Sequence, residues 1–182
     1  MNIRIIRVIA LTGLMLLFLT PSAQAATKAE INAGVKATLK LFKKKVPGGS
    51  SLIKRAKGSL IFSEIVKGGL GIGGEYGEGA LMVKGRTVDY YSTASLSVGF
   101  QFGVQTKSMV VLFLNSNELK KFRNSDGWKA GVDGSVAVVE WGAGKDIATL
   151  GEDKPIVAFI FNNQGLMYNL TIEGSKFTKL KR

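Results

Sequence analysis

The stretch Lys54–Leu81 decides the fold of this chain; it reads KRAKGSLIFSEIVK over residues 54–67 and GGLGIGGEYGEGAL over residues 68–81. Its eight glycines lie among short aliphatic and β-branched runs, directly behind a cluster of basic residues. Glycine at that density is unfavourable in a helix and typical of backbone that bends or is approached closely. We therefore predict a bent β-strand that another element crosses at the bare glycine positions.

The segment Gly69–Gly74 also matches the letters of a dinucleotide-binding fingerprint, but its context does not fit. That fingerprint opens a helix whose N-terminus holds a pyrophosphate. Here the glycines lead into Glu75–Gly79, which contains two more glycines and is a poor helix start. Gly69, Gly71 and Gly73 instead repeat with the period of a strand, so we interpret them as one bare strand face.

Alternation of apolar and polar residues predicts further strands. Every second position from Ala94 to Val104 is apolar, which predicts a long half-buried strand. The unbroken apolar runs Met109–Leu114 and Ile156–Phe161 are typical of strands covered on both faces. Shorter strand candidates are Gly58–Phe62, Gly79–Val83, Thr87–Tyr91, Ser135–Trp141 and Gly165–Ile172.

Two helices complete the prediction. Between Thr27 and Val46 the apolar residues recur every three or four positions, and Pro47 with two following glycines ends the pattern. Asn115–Phe122 predicts one short helix, with Asn115 as its cap and Glu118 three residues later. The predicted fold class is therefore α+β, dominated by antiparallel β with a bent-sheet or barrel-like core, an N-terminal amphipathic helix and one short internal helix.

Residues 1–25 have the pattern of a cleaved secretory signal. Arg4 and Arg7 open it, an apolar run extends from Val8 to Leu19, and small residues precede the expected cleavage after Ala25. We therefore expect export to the periplasm or outside the cell, peripheral to a membrane; a chain without cysteine favours the periplasm. Residues 26–53 are predicted to be a basic amphipathic helix with a hinge, and residues 54–182 one β-rich domain.

Charge and composition limit the classes of function that the chain can have. The net charge is +12, and residues 27–57 hold nine lysines and arginines against the single carboxylate of Glu30. For an exported chain this indicates an anionic membrane surface as partner and not nucleic acid. The chain has no histidine and no cysteine, which excludes the usual catalytic triads and most zinc sites. We expect no enzymatic activity, no cofactor and no metal; Glu75 and Glu78, the one close acidic pair near the glycines, are either structural or ligand-contacting.

Several motifs of the chain occur together in one known family. They are the segments Ala56–Phe62, Lys67–Gly79, Tyr90–Ala94, Gly127–Gly131 and Glu173–Lys176. In this respect the chain resembles the SYLF domain family, a lipid-binding module of bacteria and eukaryotes. The resemblance implies binding to anionic phospholipids. Eukaryotic members use an N-terminal helix and basic residues on membranes, which here points to Lys40, Lys43, Lys44, Lys45, Lys54, Arg55 and Lys57.

Phe42 on the helix and Lys67 in the glycine-rich motif complete the candidate lipid-binding residues. Insertion of Phe42 into a membrane would contribute about 1.5–3 kcal/mol if the side chain became fully buried. The same apolar helix face could equally pack on the protein's own sheet, and the sequence leaves both readings open. Two other functions stay open as well: a small outer-membrane β-barrel, and an envelope scaffold that binds another protein through its basic ends.

Overall fold

A computed structural model describes residues 25–140, 154–164, 172 and 174–182, without the side chains of residues 70–71, 97–102 and 140. The predicted signal therefore lies outside the described residues, apart from Ala25, and so do Trp141 and most of the predicted strand Gly165–Ile172. In chain order the elements are α1 (Lys28–Lys45), α2 (Gly49–Arg55), β1 (Gly58–Val83), β2 (Arg86–Phe113), α3 (Ser116–Asn124), β3 (Trp128–Lys129), β4 (Val136–Glu140), β5 (Ile156–Gln164) and β6 (Lys176–Leu180).

A long antiparallel hairpin of β1 and β2 dominates the molecule. Its pairs extend from Val83–Arg86, beside the turn, to Gly58–Phe113 at the open end. Lys84 and Gly85 have φ values of 51° and 77°, the left-handed backbone that a tight hairpin turn requires. The short strands predicted within residues 58–83 and 87–114 are therefore parts of two long strands, because the chain bends between them without losing its pairing.

The glycine-rich segment bends β1 back on itself. The register shifts between Leu70 and Ile72, which marks the bend. Beyond the bend, a Cβ atom on Gly77 would lie 2.7 Å from the carbonyl oxygen of Glu64, in the first half of the same strand. A Cβ atom on Gly79 would lie even closer to the carbonyl oxygen of Ile61. The predicted bend and the close approach at glycines are confirmed, but the crossing segment is the first half of β1 and not another element.

Alternate residues of the central strands pack into two cores. Leu60, Met109 and Ile156 point to the concave side of the sheet, where α3 and β3 also pack. Their neighbours Ile61 and Val110 point to the other side, which α1 and α2 cover. The runs predicted to be covered on both faces are confirmed in this way.

Six strands among the described residues form one sheet, in the order β3-β6-β2-β5-β4, with β1 paired to β2 off this path. The pairs are antiparallel except β4 with β5, which is parallel. The α+β class dominated by antiparallel β is confirmed. Strand β6 was not predicted, although Phe177 alternates with polar neighbours and is buried.

The described apolar side chains of this segment, Ala94, Leu96 and Val104, do not form a buried face. Leu96 and Val104 are 88% and 70% exposed, whereas the polar Gln105, of the opposite alternation, is buried. Periodicity separates the two faces of a strand but does not decide which one points inward. The prediction of a half-buried strand with its apolar side covered is therefore wrong at these residues.

Helix α1 begins as its sequence predicts. The Thr27 hydroxyl accepts a hydrogen bond from the Glu30 backbone N–H, while the Glu30 carboxylate accepts one from the Thr27 backbone N–H. This capping box stabilises the first turn. The region predicted to be a hinge is partly helical in the structure. After a break at residues 46–48, α2 extends to Arg55 and so crosses the boundary expected at residue 53. Within the described ranges, no helix is both long and apolar enough to cross a membrane.

Candidate functional site

A basic groove lies at the turn end of the hairpin, between the helices and the β1–β2 turn. Its volume is about 780 Å³. Among the described residues that line it there is no carboxylate, and its apolar wall includes Leu39, Ile53, Met82 and Leu119. Its cations come from four parts of the chain and are Lys43, Lys54, Lys57, Lys84, Lys120 and Arg123. We call this site the basic groove.

Separate elements bring these cations together. Lys43 projects from α1, and Lys54 projects from α2. Helix α2 is held on the sheet by its buried Leu52. The hairpin turn presents Lys84. Helix α3 is anchored through Leu119 and Phe122, which leaves Lys120 and Arg123, three positions apart on one helix face, toward the groove.

Most of this positive charge is not neutralised by the protein. Arg123 donates a hydrogen bond from Nε to Asp89 Oδ2 at 3.1 Å. Within the described ranges, none of the five groove lysines forms an ion pair. Like charges held around one cavity raise its potential and favour an anion there. An anion with an apolar portion fits the lining best.

A second polar cluster lies inside the bend, away from the groove. Lys107 Nζ and Glu75 Oε2 are 2.8 Å apart, and both side chains are almost completely buried. Lys67 is buried on the adjacent part of β1, opposite Gln105 in the strand register. The amide of Gln105 donates to Asn163 Oδ1 at 2.8 Å. These polar groups occupy the concave side of the hairpin.

Glu78 lies on the other face of β1 from Glu75. Its carboxylate accepts hydrogen bonds from the Tyr76 hydroxyl, the Ala26 backbone N–H and the Arg182 guanidinium. Partial burial, and then this bond to Glu78, raises the pKa of Tyr76 above its ordinary value. The two carboxylates therefore have separate structural partners and do not face one substrate.

Comparison with known families adds one finding. Residues 94–182, just under half of the chain, match the family model described as Ysc84: Las17-binding protein actin regulator. This match is consistent with a domain of the Ysc84 (SYLF) family. No curated protein matches the chain.

The Ysc84 match covers only part of the basic groove. It begins at Ala94 within β2 and includes α3, so Lys120 and Arg123 lie inside it. The other four cations precede it. The SYLF resemblance seen in the sequence is confirmed by this match, whereas the groove combines matched and unmatched parts of the chain.

The structure brings three of the predicted lipid-binding residues into the groove: Lys43, Lys54 and Lys57. Four others are exposed but do not line it; these are Lys40, Lys44, Lys45 and Arg55.

Two further residues of the predicted lipid-binding set are buried. Phe42 is completely buried, with its ring centroid 5.0 Å from that of Phe159 and 6.0 Å from that of Phe161, because the apolar face of α1 packs on β5. It is a core residue in this structure and does not face a membrane. Lys67 is 6% exposed and belongs to the polar cluster inside the bend.

Sequence reasoning missed Lys84, Lys120 and Arg123. Lys84 follows directly on the apolar end of β1, and Lys120 with Arg123 occurs on the predicted internal helix. No local pattern joins a turn to a helix more than thirty residues later in the sequence. Only the packing of α3 beside the hairpin turn brings them to one site.

Proposed function

We propose that this protein is an exported lipid-binding protein whose basic groove takes the headgroup of an anionic phospholipid at a membrane surface. One observation carries the proposal: in the part of the chain that the structure describes, six cations and no carboxylate line a single cavity that also has an apolar wall. The cations attract a phosphate, and the apolar wall accommodates the glycerol and the first acyl carbons. The similarity of residues 94–182 to the Ysc84 family model supports a lipid-related or actin-regulator-like role in general terms.

Electrostatics supplies the attraction. A lysine near an anionic bilayer contributes about 1 kcal/mol, an effect that salt weakens. Five lysines without ion pairs therefore suffice for reversible binding. We propose binding and not catalysis, because the chain has no histidine or cysteine and the described lining of the groove offers no carboxylate to serve as a base.

The sequence of the first 25 residues supports export, and in a periplasm the available anions are phosphatidylglycerol, cardiolipin and lipid A. The description of the matched family names binding to another protein and actin regulation. An exported chain would not meet cytoplasmic actin. A protein partner in the envelope is the alternative, and the same basic surface would have to serve it.

Vesicle co-sedimentation of residues 26–182 tests the proposal. We expect binding to phosphatidylglycerol vesicles, little binding to phosphatidylcholine vesicles, and weaker binding at high salt. The variant Lys54→Gln/Lys57→Gln/Lys120→Gln should bind anionic vesicles roughly a hundredfold more weakly, since it removes three attractions of about 1 kcal/mol each.

A matched control has the same change in charge outside the groove. Lys36→Gln/Lys40→Gln/Lys44→Gln alters three exposed lysines of α1 that do not line the cavity. We expect it to retain most of the binding. An equal loss of vesicle binding in both variants would show that general surface charge, and not the groove, determines binding. No binding by the unaltered protein would refute the proposal.

A further inference from the structure

The bent end of the hairpin carries an exposed apolar surface. Ile72, Leu96 and Val104 are 71%, 88% and 70% exposed, and Val66 and Tyr76 are also exposed. Val66, Tyr76 and Leu96 line one shallow cavity of about 700 Å³ on this surface. Soluble proteins rarely leave several large apolar side chains together in water without a partner. We call these five residues the apolar tip.

Glycines on the paired strand leave the apolar tip uncovered. Gly68 is opposite Val104 in the register, and Gly74 is opposite Leu96. Any other residue at those two positions would place a side chain beside its apolar neighbour. The concave side of the same strands holds the ion pair of Lys107 and Glu75. Polar groups are thus inside and apolar groups outside, the arrangement expected where the outer medium is itself apolar.

One exposed cation beside the apolar tip suits the anionic headgroups of a bilayer. Lys176 is exposed, lies opposite Ala94 in the register of β6 with β2, and lines the same cavity as Leu96. It begins the basic C-terminal stretch that ends at Arg182. On the other flank, the cavity beside Val66 and Tyr76 is lined by three carboxylates, those of Glu30, Glu64 and Glu78. We therefore place the anionic headgroups on the β6 side, at Lys176.

We propose that the bent end of the hairpin inserts Ile72, Leu96 and Val104 into the interfacial zone of an anionic bilayer, with Lys176 at the headgroups. This surface is separate from the basic groove: Ile72 and Val83 are joined by roughly 35 Å of extended strand. The inference therefore concerns a second contact and does not depend on headgroup binding in the groove.

Site-specific fluorescence tests the insertion directly, because the chain has no cysteine of its own. Leu96→Cys carries an environment-sensitive fluorophore in residues 26–182, and Val88→Cys is the matched control. Val88 is an exposed aliphatic residue on the same strand at the turn end. On phosphatidylglycerol vesicles we expect a blue shift and quenching by brominated acyl chains at position 96 and neither at position 88. A label at position 96 that stays in water on sedimented protein would overturn the proposal.

Substitutions provide a second readout. Ile72→Ser/Leu96→Ser should weaken vesicle binding about tenfold or more, since each side chain loses its transfer into an apolar phase. Its melting temperature should stay close to that of the unaltered protein because both side chains are exposed. Val88→Ser should change neither property.

The two contacts can fail separately. The groove variant Lys54→Gln/Lys57→Gln/Lys120→Gln, combined with labelled Leu96→Cys, should bind less but still show the blue shift in its bound fraction. The competing partner for the apolar tip is a second copy of this chain. A dimer in light scattering that Leu96→Ser abolishes, with unchanged vesicle binding, would overturn the membrane proposal.

Discussion

The ion pair of Glu75 and Lys107 shows how single residues define the bend. Both side chains are almost fully buried, and the Nζ–Oε2 distance is 2.8 Å. A buried pair gains little net stability over apolar residues of the same shape, but each charge strongly requires the other. The pair therefore joins β1 beyond the bend to β2, and it disfavours arrangements that would separate these two residues.

Removing one member should be much worse than removing both. We expect Lys107→Met to lower the free energy of unfolding by about 3–5 kcal/mol, since it leaves the Glu75 carboxylate buried without its partner. Glu75→Leu/Lys107→Met should lose considerably less. Urea unfolding followed by circular dichroism measures both values. A double variant that loses the sum of the single losses would show that the two charges are not coupled.

At the level of elements, the close crossing of β1 on itself explains its glycines. Gly77 and Gly79 lie where the second half of the strand touches the backbone of the first half. A Cβ atom at either position would overlap carbonyl oxygens that cannot move without breaking the sheet. Gly74, by contrast, has its nearest such atom, the carbonyl oxygen of Ser95, at an ordinary 3.6 Å.

This difference makes a matched pair of alanine substitutions informative. Gly79→Ala should destabilise the protein by about 2 kcal/mol or more, in the range of other overpacking changes. Gly74→Ala should be close to neutral, because it has space and restricts the unfolded chain slightly. Thermal unfolding of both variants measures the contrast, and similar melting temperatures would contradict the crossing geometry.

Helix α1 and the bent strand could be predicted because their signals are local. Thr27, Glu30 and Pro47 mark the helix, and the glycine spacing marks the bend. Whether Phe42 faced lipid or core could not be predicted, since both give the same apolar periodicity. The outward direction of Leu96 and the approach of Lys120 to Lys84 also depend on how distant elements pack.

For the whole molecule, the N-terminal helices are part of the core and not a detachable membrane anchor. Ile31, Val35 and Phe42 of α1, with Val46 and Leu52, pack on the convex side of the sheet. Each buried apolar side chain contributes about 1.5–3 kcal/mol. Their sum is comparable to the total stability of an ordinary domain, about 5–15 kcal/mol.

Deletion of residues 26–57 should therefore prevent folding of the remaining chain. We expect the shortened protein to lack a cooperative thermal transition and to bind a hydrophobic dye, since the convex side of the sheet would be exposed to water. Circular dichroism and dye fluorescence measure these properties, with the Lys36→Gln/Lys40→Gln/Lys44→Gln variant as a folded control. A shortened chain that still melts cooperatively would show that the helices are an accessory layer.

The continuous register of β1 with β2 also affects the order in which the hairpin folds. Every pair of this hairpin is centred on the turn at Lys84 and Gly85, so the separation along the chain grows steadily from Val83–Arg86 to Gly58–Phe113. Contacts between distant residues form slowly because the intervening chain must first lose its freedom. The turn that presents Lys84 to the basic groove is thus the place where folding of the sheet can nucleate, and the two ends of the hairpin close last.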